Sequence, residues 1–448
     1  MQDITDHPTD PLAQPDTASS RPLKRGIGRW DMVLMIINSI IGAGIFGLPS
    51  RVYALTGVYS IAAFFICAAI VLLFILCFAE VGSRFRTTGG PYTYVGAAFG
   101  QTPAFMVGWL LLFSRVFNYA TLINLLVTYA AVFYPLFTDT MPRMIVITAI
   151  TAILAYSNHI GVKSTTRISN LLTIAKLVPL ALFIIAGFFF ADTNLYRLGE
   201  PPAFSSFTGA ILLLVFAFGG FESVMVNTGE IREPTRTIPF GLLAGTTTVA
   251  LFYILIQIIS IGTLPSLATS EKPLADAAIS FIGPAGGKAI AAGALVSIIG
   301  TLNVLLLSGS RLPYAFSTAG QFPKSFSRVH PAYLTPTWSL LTVAILCTAA
   351  SITWSFLTAL MFAVIIRVAI YLSVCASLLR LRKSGAGDPA YYRVKGGNFL
   401  AVAGIILSMW LLSNAGLEEL RNVAILLVVG LVIYGVQKWY SRGQTPGH

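Results

Sequence analysis

Long apolar runs dominate this chain and constrain its fold more than any other feature. A run of roughly 18 or more predominantly apolar residues is long enough to cross the hydrocarbon core of a bilayer as an α-helix. About twelve such segments follow one another along the sequence, and several merge across short turns. The predicted spans are 31–53, 58–82, 103–134, 143–157, 167–191, 206–229, 237–263, 284–318, 336–351, 353–380, 399–415 and 419–440. This pattern predicts an all-α integral membrane protein.

The composition agrees with a membrane protein, since 56% of the 448 residues are apolar and 10% are charged. Residues 1–22 differ, being polar and rich in Asp, Pro and Thr, without an apolar run preceded by a basic cluster. We therefore predict a disordered cytoplasmic tail rather than a cleaved signal, followed by a single transmembrane domain over 23–448. The four cysteines all fall inside predicted spans and do not suggest a disulfide framework.

The net charge of +12 reflects orientation in the membrane rather than binding to nucleic acid. With the N-terminus inside, roughly twenty of the Lys and Arg residues lie in cytoplasmic segments and roughly six in outer segments. The other three, Arg115, Lys176 and Arg367, lie within predicted spans. This asymmetry predicts a multi-pass protein of the cell membrane, surrounded by lipid, with both termini cytoplasmic and no nucleic-acid partner.

The first span is interrupted near its middle by three glycines within the six residues 42–47, with Pro49 following. Because glycine costs about 1 kcal/mol relative to alanine inside a helix, the run indicates that the helix opens here. The letters also match a dinucleotide-binding fingerprint, but no strand precedes them and 61–78 contains no carboxylate. Open backbone at membrane depth is tolerated only where it is buried in protein or lines a cavity. The break is thus a candidate binding site.

A comparable interruption, Phe216 to Glu222, lies in the sixth span, five spans after the first. Corresponding breaks in two halves of a transporter indicate an inverted repeat with its substrate site at the bilayer midplane. The predicted repeats cover about 31–191 and 206–380, with two additional helices at about 399–440. The alternative is that these glycines only permit close packing of helices.

Broken helices offer two kinds of binding group. A new helix N-terminus presents free N–H groups and partial positive charge, which suit a carboxylate. The opposite end presents carbonyl groups, which suit an ammonium group. Two facing breaks could hold a zwitterion by its backbone, and an α-amino acid is the simplest solute that fits.

At this point the sequence resembles the amino acid–polyamine–organocation (APC) superfamily of secondary transporters. Four motifs in order carry the resemblance, across nearly the whole folded chain. They are Ile40-Ile41-Gly42-Ala43-Gly44-Ile45-Phe46-Gly47-Leu48-Pro49, then Ala79-Glu80-Val81 with 89–94, then Phe216 to Glu222 with Gly229-Glu230, Pro234, Arg236 and Ile238-Pro239, and finally Ser310-Arg311 through His330-Pro331.

The resemblance implies a five-plus-five inverted-repeat bundle of twelve helices, with broken first and sixth helices, that moves amino acids by alternating access. Carried over by position, backbone N–H groups of Ala43, Gly44 and Ile45 would bind the substrate carboxylate. Carbonyl groups of Ile40, Phe216 and Gly219 would bind its ammonium, and Ala217 belongs to the same pocket. Phe216 also matches a position where the family often has an aromatic gate, although packing is an equally good reading of one phenylalanine among 30.

Two ionisable residues inside spans are functional candidates by default. Some sodium-independent members of the superfamily carry a lysine at the position of Lys176, where sodium-coupled relatives have a cation site. Its ammonium would face carbonyls near Ile40 and Ile41, as a fixed charge or as a group that releases a proton, and snorkelling to the membrane surface is the alternative. Glu222 directly follows the second break. It is either protonated or paired, and either couples protons or forms a structural hydrogen bond.

Other charged residues are less informative. Arg115 and Arg367 receive no role from the sequence. Glu80 and Arg84 lie at a cytoplasmic span end, where salt bridges could exchange between inward-facing and outward-facing states or simply be solvated. No carboxylate other than Glu222 lies deep enough to meet a cationic side chain, which favours neutral amino acids.

The predicted function is therefore sodium-independent secondary transport of amino acids, by proton-coupled symport or by exchange of one amino acid for another. Antiport of cationic amino acids or polyamines is the alternative within the same class. A non-transporting amino acid sensor is the alternative from a different class. An enzyme is disfavoured because the four histidines show no nucleophile-base or metal-ligand spacing. No cofactor or metal is predicted, and the substrate side chain and the oligomeric state are left open.

Overall fold

The computed structural model describes residues 27–42, 44–85, 89–160, 166–225, 231–333, 335–385 and 389–442. Within these ranges the chain is helical, and its β-structure is a single isolated bridge between Ile27 and Ile231. The α-helices are α1 Arg29–Ile40, α2 Gly44–Thr56, α3 Ser60–Gly82, α4 Pro91–Phe99, α5 Gln101–Ala130, α6 Thr140–His159, α7 Thr166–Phe188, α8 Phe204–Ala217, α9 Phe221–Val224, α10 Pro234–Thr263, α11 Pro273–Ile282, α12 Pro284–Thr318, α13 Thr337–Thr353, α14 Phe356–Ser384, α15 Gly397–Ser413 and α16 Leu417–Arg442. Short 3₁₀ turns lie at Gly57–Tyr59, Pro135–Thr138, Thr193–Tyr196, Leu267–Thr269 and Lys324–Ser327.

Most of these helices are spans. Among the described residues, eight helical segments are long and apolar enough to cross a membrane, and four shorter helices are also apolar. The eight count α2 and α3 as one segment, and α11 is among the four shorter helices. Matched by position to the twelve predicted spans, the helices are α1 with α2, α3, α5, α6, α7, α8 with α9, α10, α12, α13, α14, α15 and α16. The short fourth and ninth predicted spans are present as α6 and α13. The predicted class, an all-helical protein with many spans, is confirmed.

Two helices outside the spans were not predicted. Both α4 and α11 begin with a proline in the first turn and follow a loop. Each ends at a glycine with positive φ, Gly100 at 90° and Gly283 at 80°, after which the next span begins at once. At nine and ten residues they are too short to register as spans, so a search for apolar runs passes over them.

The span contacts repeat at an offset of five spans. The first span packs against the seventh through α1 and α10, and the sixth packs against the second through α8 and α3. In the same way α5 of the third span packs against α14 of the tenth, and α7 of the fifth against α12 of the eighth. If each span is replaced by the span five positions away, the contact of spans one and seven becomes that of spans six and two, and the contact of spans three and ten becomes that of spans eight and five. The two broken spans are related by the same exchange.

The core lies around α5 and the two broken spans, whereas α6 and α16 lie at the periphery. Apolar side chains on these two helices, among them Ile145, Ile153, Val428 and Val432, are more than half exposed. A belt of exposed apolar side chains on outer helices is what a lipid-facing surface requires. The candidate site therefore lies in the protein interior.

Candidate functional site

The first break is narrower than the glycine run predicts. Helix α1 ends at Ile40, the next two residues are not helical, and α2 already begins at Gly44. Ala43 lies outside the described residues. The expectation that the helix opens across 42–47 is therefore wrong from Gly44 onward, since Gly44, Gly47 and the following Pro49 are inside α2.

Close packing explains why glycine is found within α2. A Cβ atom at Gly44 would lie 2.7 Å from the Cα of Ala217, and one at Gly47 would lie 3.0 Å from the Phe356 ring. Real Cβ atoms essentially never come as close as the contact at Gly44, and the contact at Gly47 is tighter than nine in ten real ones. A side chain at either position would therefore crowd the facing helices. The packing alternative therefore accounts for these two glycines, while Gly42 belongs to the open segment.

The second break lies where the sequence predicts it. Helix α8 ends at Ala217, and α9 begins at Phe221 after the glycine pair. Gly220 has a φ of +125°, a conformation that residues with a side chain rarely adopt. Its carbonyl accepts a hydrogen bond from the hydroxyl of Ser39, which lies in the last turn of α1. The two broken spans are thus joined directly.

The facing helix ends share a tyrosine from α10. The Tyr253 hydroxyl oxygen lies 3.1 Å from the carbonyl oxygen of Ile40 and 3.2 Å from that of Ala217. A hydroxyl has a single proton and can donate it to one carbonyl at a time. The C-terminal ends of α1 and α8 therefore point at the same hydroxyl, and the backbone of both breaks converges on one place.

The described residues predicted to bind substrate are brought together and buried there. Ile40, Gly44, Ile45, Phe216, Ala217 and Gly219 are all closed off from solvent, and Phe216 is 5% exposed. In the first turn of α2, the N–H groups of Gly44 and Ile45 have no partner within the helix. The site is therefore closed to solvent, and the start of α2 lies against Ala217 at the end of α8.

Arg367 of α14 reaches the carbonyl side of the site. Its Nη1 donates to the carbonyl of Phe216 at 3.1 Å, and its guanidinium lies 5.6 Å from the centre of the Phe216 ring. Its Nη2 donates to Oδ1 of Asn118 at 3.1 Å. A Cβ atom at Gly219 would overlap the guanidinium. A protein cation therefore takes the place beside α8 at which the sequence analysis expected the substrate ammonium.

Glu222 is paired rather than isolated. Its carboxylate accepts hydrogen bonds from Arg367 Nε at 3.2 Å, the Gly220 backbone N–H at 2.9 Å and the Tyr371 hydroxyl at 3.3 Å. Both Glu222 and Arg367 are at most 5% exposed. Of the two states expected for Glu222, the structure has the paired one.

A second guanidinium lies beside this pair. Arg115 of α5 donates from Nη1 to the hydroxyl of Ser223 at 2.7 Å. Arg115, Glu222 and Arg367 are together called the central charge cluster below. With two arginines and one glutamate, the cluster carries a net positive charge.

The sequence analysis did not find the polar partners of the cluster. Asn118 lies three residues after Arg115, and Tyr371 lies four residues after Arg367. Residues three and four apart share a helix face, so polar side chains at these offsets were an available signal.

Lys176 is buried, at 7% exposed, which argues against snorkelling to the surface. Within the described residues, its ammonium bonds to the Thr301 hydroxyl of α12 at 3.3 Å. Thr301 is also the nearest neighbour of a Cβ atom built at Gly42, at 3.9 Å. Lys176 therefore lies near the first break, and its described contact is with Thr301 rather than with the carbonyls of Ile40 and Ile41.

A separate buried ion pair closes one end of the bundle. Glu80 of α3 is fully buried and accepts two hydrogen bonds from Arg382 of α14, from Nε at 2.7 Å and Nη2 at 2.5 Å. Its second oxygen also accepts from the Val394 backbone N–H at 2.8 Å, and Arg84 lies 3.7 Å from its first. The glutamate that the sequence analysis placed at a span end therefore ties three segments together.

Comparison with known proteins agrees with this architecture. Residues 27–434 match the amino acid permease family. The serine/threonine exchanger SteT of Bacillus subtilis is 28% identical over 93% of this chain and 98% of its own length. The branched-chain amino acid permease BcaP of the same organism is 26% identical over 95% of both chains. The putrescine transporter PotE of Escherichia coli is 27% identical over 92% of this chain and 95% of its own.

The family match covers nearly all of the described fold, including both breaks and the central charge cluster. The chain is accordingly a membrane transporter and not an enzyme. It belongs to the amino acid permease family of the APC superfamily.

Proposed function

We propose that this permease carries amino acids across the cell membrane by alternating access, with both termini in the cytoplasm and the substrate bound between the two helix breaks. The two repeats, about 31–191 and 206–380, would move relative to each other around that site. The meeting of both breaks at Tyr253 supports this proposal most directly, because the carbonyl groups of Ile40 and Ala217 converge there and the start of α2 packs against Ala217.

In this proposal the first turn of α2 binds the substrate carboxylate through N–H groups of Gly44 and Ile45, together with Ala43. The carbonyls of Ile40, Phe216 and Gly219 bind the ammonium. Arg367 satisfies the Phe216 carbonyl in the closed structure. A carbonyl oxygen has two lone pairs, so an arriving ammonium either shares that oxygen or displaces the guanidinium. Phe216 would close over the bound substrate, because its own carbonyl is one of the groups proposed to bind the ammonium.

Transport is proposed to be independent of sodium. The Lys176 ammonium lies near the first break, where it supplies one fixed positive charge in place of a bound cation. A buried ammonium can also release a proton during the cycle. Proton symport and amino acid exchange both fit this arrangement, and Lys176 or Glu222 would be the titrating group in the first case.

The substrate is proposed to lack a positive side chain, with neutral amino acids favoured over cationic amino acids and polyamines. The relatives named above differ in substrate, from serine and threonine to putrescine. The charge of the site is therefore a better guide to the substrate class than the substrates of these relatives. The deep carboxylate Glu222 is engaged by Arg367, and two guanidiniums face it. A cationic side chain would add a like charge to this buried cluster.

Uptake into proteoliposomes tests the proposal. Purified protein should accumulate at least one labelled non-cationic amino acid equally well in sodium and in potassium buffer. Uptake that requires an inward proton gradient indicates symport, whereas uptake that requires internal amino acid indicates exchange. A sensor would bind amino acids in a thermal-shift screen but show no uptake. The proposal would be refuted if the purified protein neither bound nor transported any amino acid.

A further inference from the structure

Within the described residues, Arg115 is a buried cation that shares its nearby carboxylate, Glu222, with Arg367. It is 7% exposed, and within the described part of the chain its hydrogen bond is to the neutral Ser223 hydroxyl. The nearby carboxylate, Glu222, accepts hydrogen bonds from Arg367, Tyr371 and the Gly220 N–H. A guanidinium has five N–H donors, and burying a charge is costly unless it is paired. Counted over the residues that the structure describes, the central charge cluster is thus one negative charge short.

We infer that the missing negative charge is supplied by the substrate, and that Arg115 binds a carboxylate on the substrate side chain. This rests on the proposed function, and it extends the substrate class from neutral amino acids to acidic ones. Aspartate and glutamate combine the α-amino acid backbone, which the two breaks are proposed to hold, with one further carboxylate. That carboxylate gives the cluster equal numbers of positive and negative groups.

The position of Arg115 assigns it to the side chain rather than to the α-carboxylate. The N–H groups of α2 lie against Ala217, since a Cβ atom at Gly44 would touch that residue. Arg115 instead contacts Ser223, six positions further along the broken sixth span, and packs beside Gly309 of α12. The two anion-binding groups therefore contact different positions along the sixth span, so an acidic amino acid has one carboxylate for each.

Isosteric substrate pairs provide the sharpest test. Glutamate and glutamine have nearly the same shape, as do aspartate and asparagine, and each pair differs by one carboxylate against one amide. In proteoliposomes with the wild-type protein, each acid should inhibit uptake of a labelled amino acid at concentrations roughly tenfold or more below those of its amide. The reason is that charge-assisted hydrogen bonds are about twice as strong as neutral ones. Equal inhibition by acid and amide would overturn the inference.

Variants then assign the preference to Arg115. Arg115→Gln should abolish the preference for acid over amide, measured as the ratio of the two inhibitory concentrations, whatever the overall rate of uptake in that variant. Arg115→Lys keeps the charge but loses the planar fork, so it should keep a reduced preference. Ser223→Ala is the matched control, because it removes the hydroxyl partner and leaves the guanidinium, and it should retain the full preference. A preference that survives in Arg115→Gln would assign the acidic group to another residue and overturn the inference.

The inference and the proposed function fail in different ways. If only neutral amino acids are carried, with no discrimination between acid and amide, the proposed function stands and the role of Arg115 falls. If no amino acid of any class binds or is carried by the wild-type protein, the proposed function itself falls. Because the acid and amide comparison uses the wild-type protein, misfolding of a variant leaves the inference open to refutation.

Discussion

Replacing Glu222 by glutamine should show how strongly the central charge cluster holds the broken sixth span to the tenth. Glu222→Gln keeps the shape of the side chain but removes the only carboxylate of the cluster. Two guanidiniums, of Arg115 and Arg367, then remain buried without a counter-charge. The Gly220 N–H and the Tyr371 hydroxyl also lose a charged acceptor.

The size of the effect follows from these contacts. Breaking a buried ion pair by removing one partner costs about 3–5 kcal/mol, because an uncompensated charge is left behind. Glutamine still offers one oxygen to Arg367, so we expect a loss of about 3 kcal/mol, at the lower end of that range. The double variant Glu222→Gln with Arg367→Gln removes both charges. Its loss of unfolding free energy should be roughly 1–2 kcal/mol smaller than the sum of the losses of the two single variants.

The free energy of unfolding can be measured by titrating the protein in mixed micelles with a denaturing detergent while following tryptophan fluorescence. Glu418→Gln is the matched control. It breaks the Arg421 and Glu418 pair, whose side chains are 67% and 78% exposed, and such surface pairs contribute at most about 1 kcal/mol. The reasoning is refuted if Glu222→Gln loses no more stability than Glu418→Gln, or if the two single losses add up in the double variant.

Three further predictions follow from other contacts. Gly220→Ala should lose at least about 2 kcal/mol of stability, because its Cβ atom would overlap the Ser39 carbonyl and the residue has a positive φ. Gly209→Ala, in open space on α8, is the control and should not lose stability. Equal unfolding midpoints of the two variants would contradict this prediction. Glu80→Gln should lose about 3 kcal/mol by leaving Arg382 unpaired, and an unchanged unfolding midpoint would argue against it. Lys176→Met should insert normally but flatten the pH profile of uptake, and an unchanged profile would leave Lys176 as a fixed charge.

Much of the fold was predictable because membrane insertion is governed by local sequence. The length of each apolar run determines whether it can span a bilayer, so even the short spans α6 and α13 were found. The position of the second break followed from Gly219 and Gly220. In contrast, α4 and α11 were missed because they are short helices between spans.

Less of the candidate site was predictable, because its contacts join residues far apart in sequence. The sequence could not show which glycines of the first run are needed for close packing rather than for the helix break. The neighbouring residues Ala217 and Phe356 show that Gly44 and Gly47 are packing positions. The pairing of Arg367 with the Phe216 carbonyl connects positions 151 residues apart. The sequence analysis could identify Arg115 and Arg367 as unusual, but their partners were defined only by helix packing.

The central claim, that the substrate backbone is held between the two breaks, is tested most directly by binding of a labelled amino acid to purified Gly44→Val. A side chain at this position would meet Ala217 and cover the N–H groups of the first turn of α2. Gly435→Val, in open space on α16, serves as the control for the glycine-to-valine change. The account predicts that binding is lost in Gly44→Val and kept in Gly435→Val, with both proteins inserted and monodisperse. Wild-type affinity in folded Gly44→Val would contradict it.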